Sequence, residues 1–284
     1  KHIMPRFGKL KIKDITKGYC QRQINDLADK LSIANEIKIQ ANLVFKYAQR
    51  MDYISKNPME FVVIPRNESE LLATEERRNF WTKDEVLQFL SLAEKDLPFQ
   101  DYVMFYVLLF TGMRKGELMA LEWSDIDFEE KIIRITKTLF FHKGREIVQT
   151  AKTYKSKREI FVDDDTLELL RKLKTKHKEA LLALGIREEP KYVLMREGMR
   201  PLRLAHPNEV LSRFIKKHNL HPITVHGLRH THASMLFEAG ATIKDVQARL
   251  GHTRIETTMD VYTHVTKERG AEITQQLRKY FNSK

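Results

Sequence analysis

The chain of 284 residues has one cysteine, Cys20. A single thiol excludes an internal disulfide and any zinc site built on a cysteine cluster, and it fits a reducing, intracellular setting. Long apolar runs are missing too. The longest unbroken one, Tyr102 to Phe110, is far short of the roughly 20 residues that a membrane-crossing helix needs, and reads as a helix buried in a globular core. No secretory leader, internal repeat or low-complexity tract is visible. The expected setting is cytoplasmic, away from membranes. The chain begins at Lys1 rather than a start methionine, so upstream sequence is expected to have been removed.

What is present in excess is positive charge. Fifty Lys and Arg face 38 Asp and Glu, a net charge of +12. That balance suits a polyanionic partner such as nucleic acid, although charge alone argues equally for a solvated basic surface. The length allows two domains and a sizeable core.

The segment 1–66 reads as helical and basic. Between Ile33 and Tyr53, Ile37, Ala41, Val44, Phe45 and Ala48 recur at helical spacing, with Lys38, Lys46 and Arg50 between them. Such a helix is either an ordinary bundle helix with a wet charged face or, beside a DNA enzyme, a DNA-contacting one through Lys46. The pattern lapses from Pro65 to Asn79, which makes 67–79 a linker. A second domain, 80–284, opens at Phe80, and Thr82-Lys-Asp-Glu85 reads as a capping box that starts a helix. From Lys131 to Val162 apolar residues alternate with polar ones around a Lys143-Gly144 turn, the pattern of a small antiparallel sheet. Helical patterns resume at Asp165. The expected class is mainly α with a small antiparallel β-sheet (α+β).

Three motifs carry chemistry. In Thr111-Gly-Met-Arg114-Lys-Gly-Glu117, Gly112 permits a tight turn, and Arg114 and Glu117 follow at i and i+3. An arginine fork matches phosphate oxygens, and Glu117 is placed to hold it; a surface ion pair is the plainer account. In His226-Gly-Leu-Arg229, with Thr224 as N-cap and Gly240 closing the helix, both side chains aim near a helix N-terminus, where an anion is favoured. The plainer account is a capped helix with a satisfied histidine. Leu250-Gly-His252 ends the next helix, capped by Thr242 and Asp245, and Tyr262 follows. A lone tyrosine is usually core or surface and, with a pKa near 10, a weak nucleophile; neighbouring arginines and a histidine would activate it.

The sequence offers little to a metal ion. Neighbouring His230 and His232 suggest a metal site, since His226 and His230 stand at i and i+4, but they lack an intervening His-Glu-x-x-His glutamate, and Asp163-Asp164-Asp165 reads as a helix cap rather than a magnesium site.

Taken together, Thr-Gly-x-Arg-x-x-Glu, His-x-x-Arg, Leu-Gly-His and Thr-Thr-x-x-x-Tyr-x-His, in this order, resemble the tyrosine recombinases, in particular the integrases of phages and conjugative transposons. The resemblance covers the second domain throughout and extends more weakly to the first, which looks like that family's core-binding helical domain. It implies that Arg114 and Arg229 clamp the scissile phosphate, His252 donates a further hydrogen bond, and His226 assists proton transfer. Tyr262 is the nucleophile, giving a 3′-phosphotyrosyl intermediate. Lys152 best matches the family's hairpin general acid, in a stretch crowded by Lys155, Lys157 and Arg158, which are expected to touch DNA backbone.

The resemblance further implies duplex DNA attachment sites, a homo-tetramer on synapsed DNA, an excisionase or DNA-bending accessory partner, and no cofactor or metal. The stretch Lys267 to Lys284 reads as a terminal helix that docks on a neighbouring protomer or packs on its own domain. The alternatives are a type IB topoisomerase, which shares the chemistry without strand exchange, and a binding-only protein that has no need of Tyr262.

Overall fold

The computed structural model describes residues 2–27, 31–65, 78–150, 157–251 and 278, with the backbone alone at 31 and 32. The chain divides into two compact units, Lys1–Arg77 and Arg78–Lys284.

In the first unit, α1 (Ile3–Phe7), α2 (Lys17–Asn25) and α3 (Leu31–Arg50) enclose a small core. Ile37, Ala41 and Phe45 of α3 bury one stripe against Cys20 and Ile24 of α2 and Phe7 of α1. The expected spacing of α3 is therefore the observed one, except that Val44 is exposed. Lys46 is exposed on the same helix. Cys20 is fully buried, and burial pushes its thiol pKa up to about 11, so it is an unreactive core residue.

The second unit is built around one helix. After α4 (Lys83–Asp96), whose expected Thr82–Glu85 capping box is present, α5 (Phe99–Thr111) buries nearly every face, including Val103, Met104, Phe105, Leu108 and Leu109. A helix apolar all round must be covered all round. Here α4, α6 (Lys115–Met119), α7 (Asp164–Ala183), α8 (His206–His218) and α9 (Val225–Glu238) pack against it. A last short helix, α10 (Ile243–Leu250), packs on α9.

The expected single sheet is two separate ones. β2 (Ile132–Ile135) pairs antiparallel with β1 (Ile126–Asp127) and with β5 (Arg158–Phe161), Ile133 facing Ile160. β3 (Lys137–His142) and β4 (Arg145–Thr150) form a hairpin of their own. Thr136 interrupts the ladder between β2 and β3, and positive φ at Lys143 (47°) and Gly144 (79°) makes the two-residue turn whose twist suits a hairpin. A third antiparallel pair, β6 (Met195–Arg196) with β7 (Arg200–Pro201), had no signal in the alternation of the sequence. The hairpin packs against α6 because Gly116 has no side chain; a Cβ there would stand 2.6 Å from the Leu139 carbonyl oxygen.

Candidate active site

The site forms where the ends of five elements meet. α5 ends on Gly112, whose φ of 63° is the left-handed turn a glycine allows without strain. Two residues on, Arg114 occupies the N-cap position of α6. Its backbone N–H donates to Glu117 Oε2 at 2.7 Å, and its Nη1 donates to Oε1 at 3.0 Å. An acid in the first turn thus satisfies a free N–H at the start of the helix and steadies the guanidinium. Arg158, at the start of β5, takes the other side of the same carboxylate, with Nη1 to Oε1 at 3.0 Å and Nη2 to Oε2 at 2.7 Å. Burial raises the Glu117 pKa, but the Arg158 fork and Arg114 outweigh it and hold the carboxyl below its ordinary value.

Arg229 lies one turn into α9, which Thr224 caps by accepting from the Gly227 N–H. The Asn79 side-chain oxygen accepts from the Thr224 N–H at 2.9 Å, and the Trp81 N–H donates to Thr231 Oγ1. The stretch from Arg78 is therefore already part of the second unit, two residues earlier than the expected start at Phe80, because its polar groups finish the cap of α9. Arg229 is only 3% exposed. Its Nη1 donates to the Gly112 carbonyl at 2.7 Å and its Nη2 to the Leu250 carbonyl at 2.6 Å, while Nε is buried without a partner among the described residues.

The three arginines converge on one helix end. Arg158 Nε donates to the Arg249 carbonyl at 3.0 Å, Arg229 to that of Leu250, and Arg114 Nη2 to that of Gly251 at 3.3 Å. The last carbonyls of a helix have no partner within it and carry its negative dipole end, so cations belong there. Here three consecutive carbonyls at the end of α10 hold three guanidiniums. Arg158, grouped in the sequence with an exposed basic edge, has a side chain only 9% exposed; its burial takes it out of that edge. Lys157 beside it is exposed.

Electrostatically the cluster is unbalanced. Burial first, then the Arg114 charge, pushes the Arg229 pKa down to about 9, still well above neutral, so the guanidinium keeps its proton. Desolvation, followed by the Arg229 and Arg114 charges, holds His226 below the ordinary imidazole value. His226 is exposed and meets His230 edge-on, with ring centroids 4.7 Å apart. Among the described residues no group of three or more His, Cys, Asp or Glu has the arrangement of a metal site. No helix among them is long and apolar enough to cross a membrane.

Two further residues of this neighbourhood received no structural role from the sequence: His232, weighed there only for a metal site, and Arg249. His232 is 4% exposed; its Nδ1 bonds the Leu109 carbonyl at 2.7 Å and its Nε2 accepts from Arg249 Nε at 3.0 Å. Arg249 also reaches the Phe110 and Phe161 carbonyls. A basic residue in the last turn before Leu-Gly-His was the available signal. Lys152, Lys155, His252 and Tyr262 lie outside the described residues, as does the expected terminal helix except for position 278.

The model of the phage integrase family matches residues 79–269, and that of the phage integrase N-terminal SAM-like domain matches residues 1–28. The ICEBs1 integrase of Bacillus subtilis is 30% identical over 285 residues, covering 98% of this chain and 74% of that protein. The integrase of Staphylococcus phage L54a is also 30% identical, covering 95% of this chain and 81% of its own length. Among solved structures, the Tn1549 transposon integrase in complex with transposon right end DNA shares the fold, with a TM-score of 0.78 at 23% identity over 96% of this chain and 89% of that one.

Proposed function

The chain belongs to the phage integrase family, and from that premise we propose how its own residues carry out site-specific cleavage and rejoining of DNA. The observation that carries the proposal is the charge count at the site. Among the described residues, Arg114, Arg158 and Arg229 gather around one carboxylate, Glu117. Like charges brought together away from water are costly unless an anion joins them, and a phosphodiester is such an anion. The unpartnered Nε of Arg229 is a donor still to be satisfied.

In this reading Arg114 and Arg229 bind the non-bridging oxygens of the scissile phosphate. They stabilise the charge that builds on the pentacoordinate phosphorus, with no metal required for that task. Tyr262 attacks phosphorus, the 3′-phosphotyrosyl bond forms, and the bond to the 5′-oxygen breaks. His226, kept neutral near pH 7 by its lowered pKa, takes the phenol proton, and Lys152 protonates the leaving 5′-oxygen. His252 adds a hydrogen bond to the phosphate. A 5′-hydroxyl from the partner duplex then reverses the step, so the bond energy is conserved. Residues 1–66 are the core-binding domain, with Lys46 against the DNA backbone; the linker, expected over 67–79, gives way at Arg78 to the catalytic domain. Lys155 and Lys157 add backbone contacts. A tetramer on synapsed attachment sites, an excisionase or DNA-bending partner, and a cytoplasmic location in a bacterial host complete the proposal.

The test is a randomised pool of nicked duplexes incubated in EDTA with wild type and with Tyr262→Phe. A covalent protein–DNA adduct from wild type alone is the expected result. Adduct from both proteins places the nucleophile elsewhere, and adduct that needs added magnesium removes the metal-free mechanism.

A further inference from the structure

We propose that Arg158 is a positioning residue of the cleavage reaction, holding Glu117 and the last turn of α10 together so that Arg114 meets the phosphate with one face free. The inference rests on the recombinase reading above and concerns a residue that this reading counts as a charge but gives no task in the reaction.

Arg158 has little left for DNA. Its side chain is 9% exposed, and Nε, Nη1 and Nη2 each have a protein partner. What it does is divide a carboxylate. Glu117 Oε1 accepts from Arg114 Nη1 and Arg158 Nη1, both at 3.0 Å. Oε2 accepts from the Arg114 backbone N–H and Arg158 Nη2, both at 2.7 Å. A buried carboxylate facing a single arginine draws both nitrogens of its fork. With Arg158 supplying one fork, the Arg114 guanidinium gives Glu117 only Nη1. Its Nη2 turns to the Gly251 carbonyl at 3.3 Å, a long bond that a phosphate oxygen can displace.

The same residue fixes the turn after α10. Its Nε holds the Arg249 carbonyl, and a Cβ on Gly251 (φ 68°) would meet Arg158 Cδ at 3.0 Å. Both ends of the arrangement therefore depend on one guanidinium: the aim of Arg114 and the carbonyl turn that leads directly into His252. Lysine cannot reproduce this, because a single ammonium cannot bridge two carboxylate oxygens and a carbonyl in fixed directions.

The experiment uses the full chain and a nicked duplex recovered from a randomised pool by adduct formation with wild type. Single-turnover cleavage at saturating protein, duplex affinity and melting temperature are measured for Arg158→Met, Arg158→Lys, Arg114→Lys and the double variants. We expect Arg158→Met to slow cleavage by roughly 30-fold with affinity held within about twofold, and Arg158→Lys to fall between it and wild type. Combined with Arg114→Lys, either change should add less than about threefold to the loss from Arg114→Lys alone, since both act through one guanidinium. If Arg158→Met does not fold, the same cycle is read with Arg158→Lys.

Cleavage within twofold of wild type overturns the proposal. A parallel fall in rate and affinity overturns it in favour of a DNA contact, and losses that multiply in the double variant overturn it in favour of an independent structural role. Failure of wild type itself to form any adduct counts against the recombinase reading instead.

Discussion

The turn that carries Arg114 and the helix start that carries Arg229 present the same side chain in opposite surroundings. The Arg114 side chain is 45% exposed and leans on a carboxylate of its own helix. Arg229 is buried and donates to the carbonyls of Gly112 and Leu250, which end two other helices. Two guanidiniums proposed for one phosphate thus stand in different relations to the fold. Arg114 is attached to the structure at its edge, whereas Arg229 is one of the parts that join α5, α9 and α10.

The largest expected effect separates them. Arg229→Met leaves two buried carbonyls without donors, and should cost about 4 kcal/mol of stability. Arg114→Met should cost less than about 1 kcal/mol, because Arg114 is itself half-exposed and the buried Glu117 keeps its pairing with Arg158. Both should lower single-turnover cleavage by at least ~100-fold. Urea denaturation of the two variants checks the contrast, and equal stability losses would sink it.

A second contrast concerns the glycines whose carbonyls hold these arginines. Both have positive φ, 63° at Gly112 and 68° at Gly251, so alanine is strained at either. The neighbours differ. A Cβ on Gly112 would overlap the buried His232 ring and come 2.7 Å from Leu250 Cδ2, whereas one on Gly251 would come no closer than 3.0 Å, to Arg158 Cδ. Gly112→Ala should therefore cost about 3 kcal/mol and Gly251→Ala about 1 kcal/mol. Should the two variants melt together, the packing of α5 on α9 and α10 is looser than these distances imply.

How much of this was legible in the sequence follows the same line. That Arg114, Glu117, His226 and Arg229 lie near one another was readable, because each motif sets two of them at helical spacing at a helix start. The caps at Thr82, Asp163, Thr224 and Thr242 were readable because a helix start needs a side-chain acceptor close by in sequence. The burial of Arg158 was not. Its neighbours Lys155 and Lys157 look alike in the sequence, and only the long-range approach of Glu117 and Arg249 distinguishes it. The split of the expected sheet was hidden for a similar reason, since Thr136 looks like one more polar position in an alternating run. The role of Asn79 depends on meeting Thr224, 145 positions away.

Below the two arginines, His232 offers a pH handle on the buried side of the comparison. Burial first, and then the Arg249 charge, pushes its pKa down to about 3. The folded protein keeps the ring neutral while an unfolded chain protonates it below about 6.5. Stability from this group is therefore complete above pH 6.5 and is lost as pH falls toward 3. Between pH 7 and pH 5 the loss should be about 2 kcal/mol, at 1.36 kcal/mol per unit. His232→Gln should start less stable at pH 7 and lack that part of the slope, which denaturation at the two pH values reads directly. A slope unchanged by the substitution would mean that the ring is protonated in the fold, against its acceptance of a hydrogen bond from Arg249.

The smallest effect concerns the caps. The start of α6 is capped by a charged group, the Glu117 carboxylate of its first turn, which also holds Arg114; that of α9 is capped by a neutral one, Thr224. Thr224→Ala removes an acceptor for the Gly227 N–H and a partner of Asn79, and should cost about 1 kcal/mol. Because Arg229 lies a turn further in and is fixed at its far end by Gly112 and Leu250, cleavage at saturating protein should fall by less than about threefold. A larger fall in rate, with stability changed as expected, would mean that the start of α9 sets the aim of His226 rather than only its helix. The neutral cap would then serve the chemistry as closely as the charged one does.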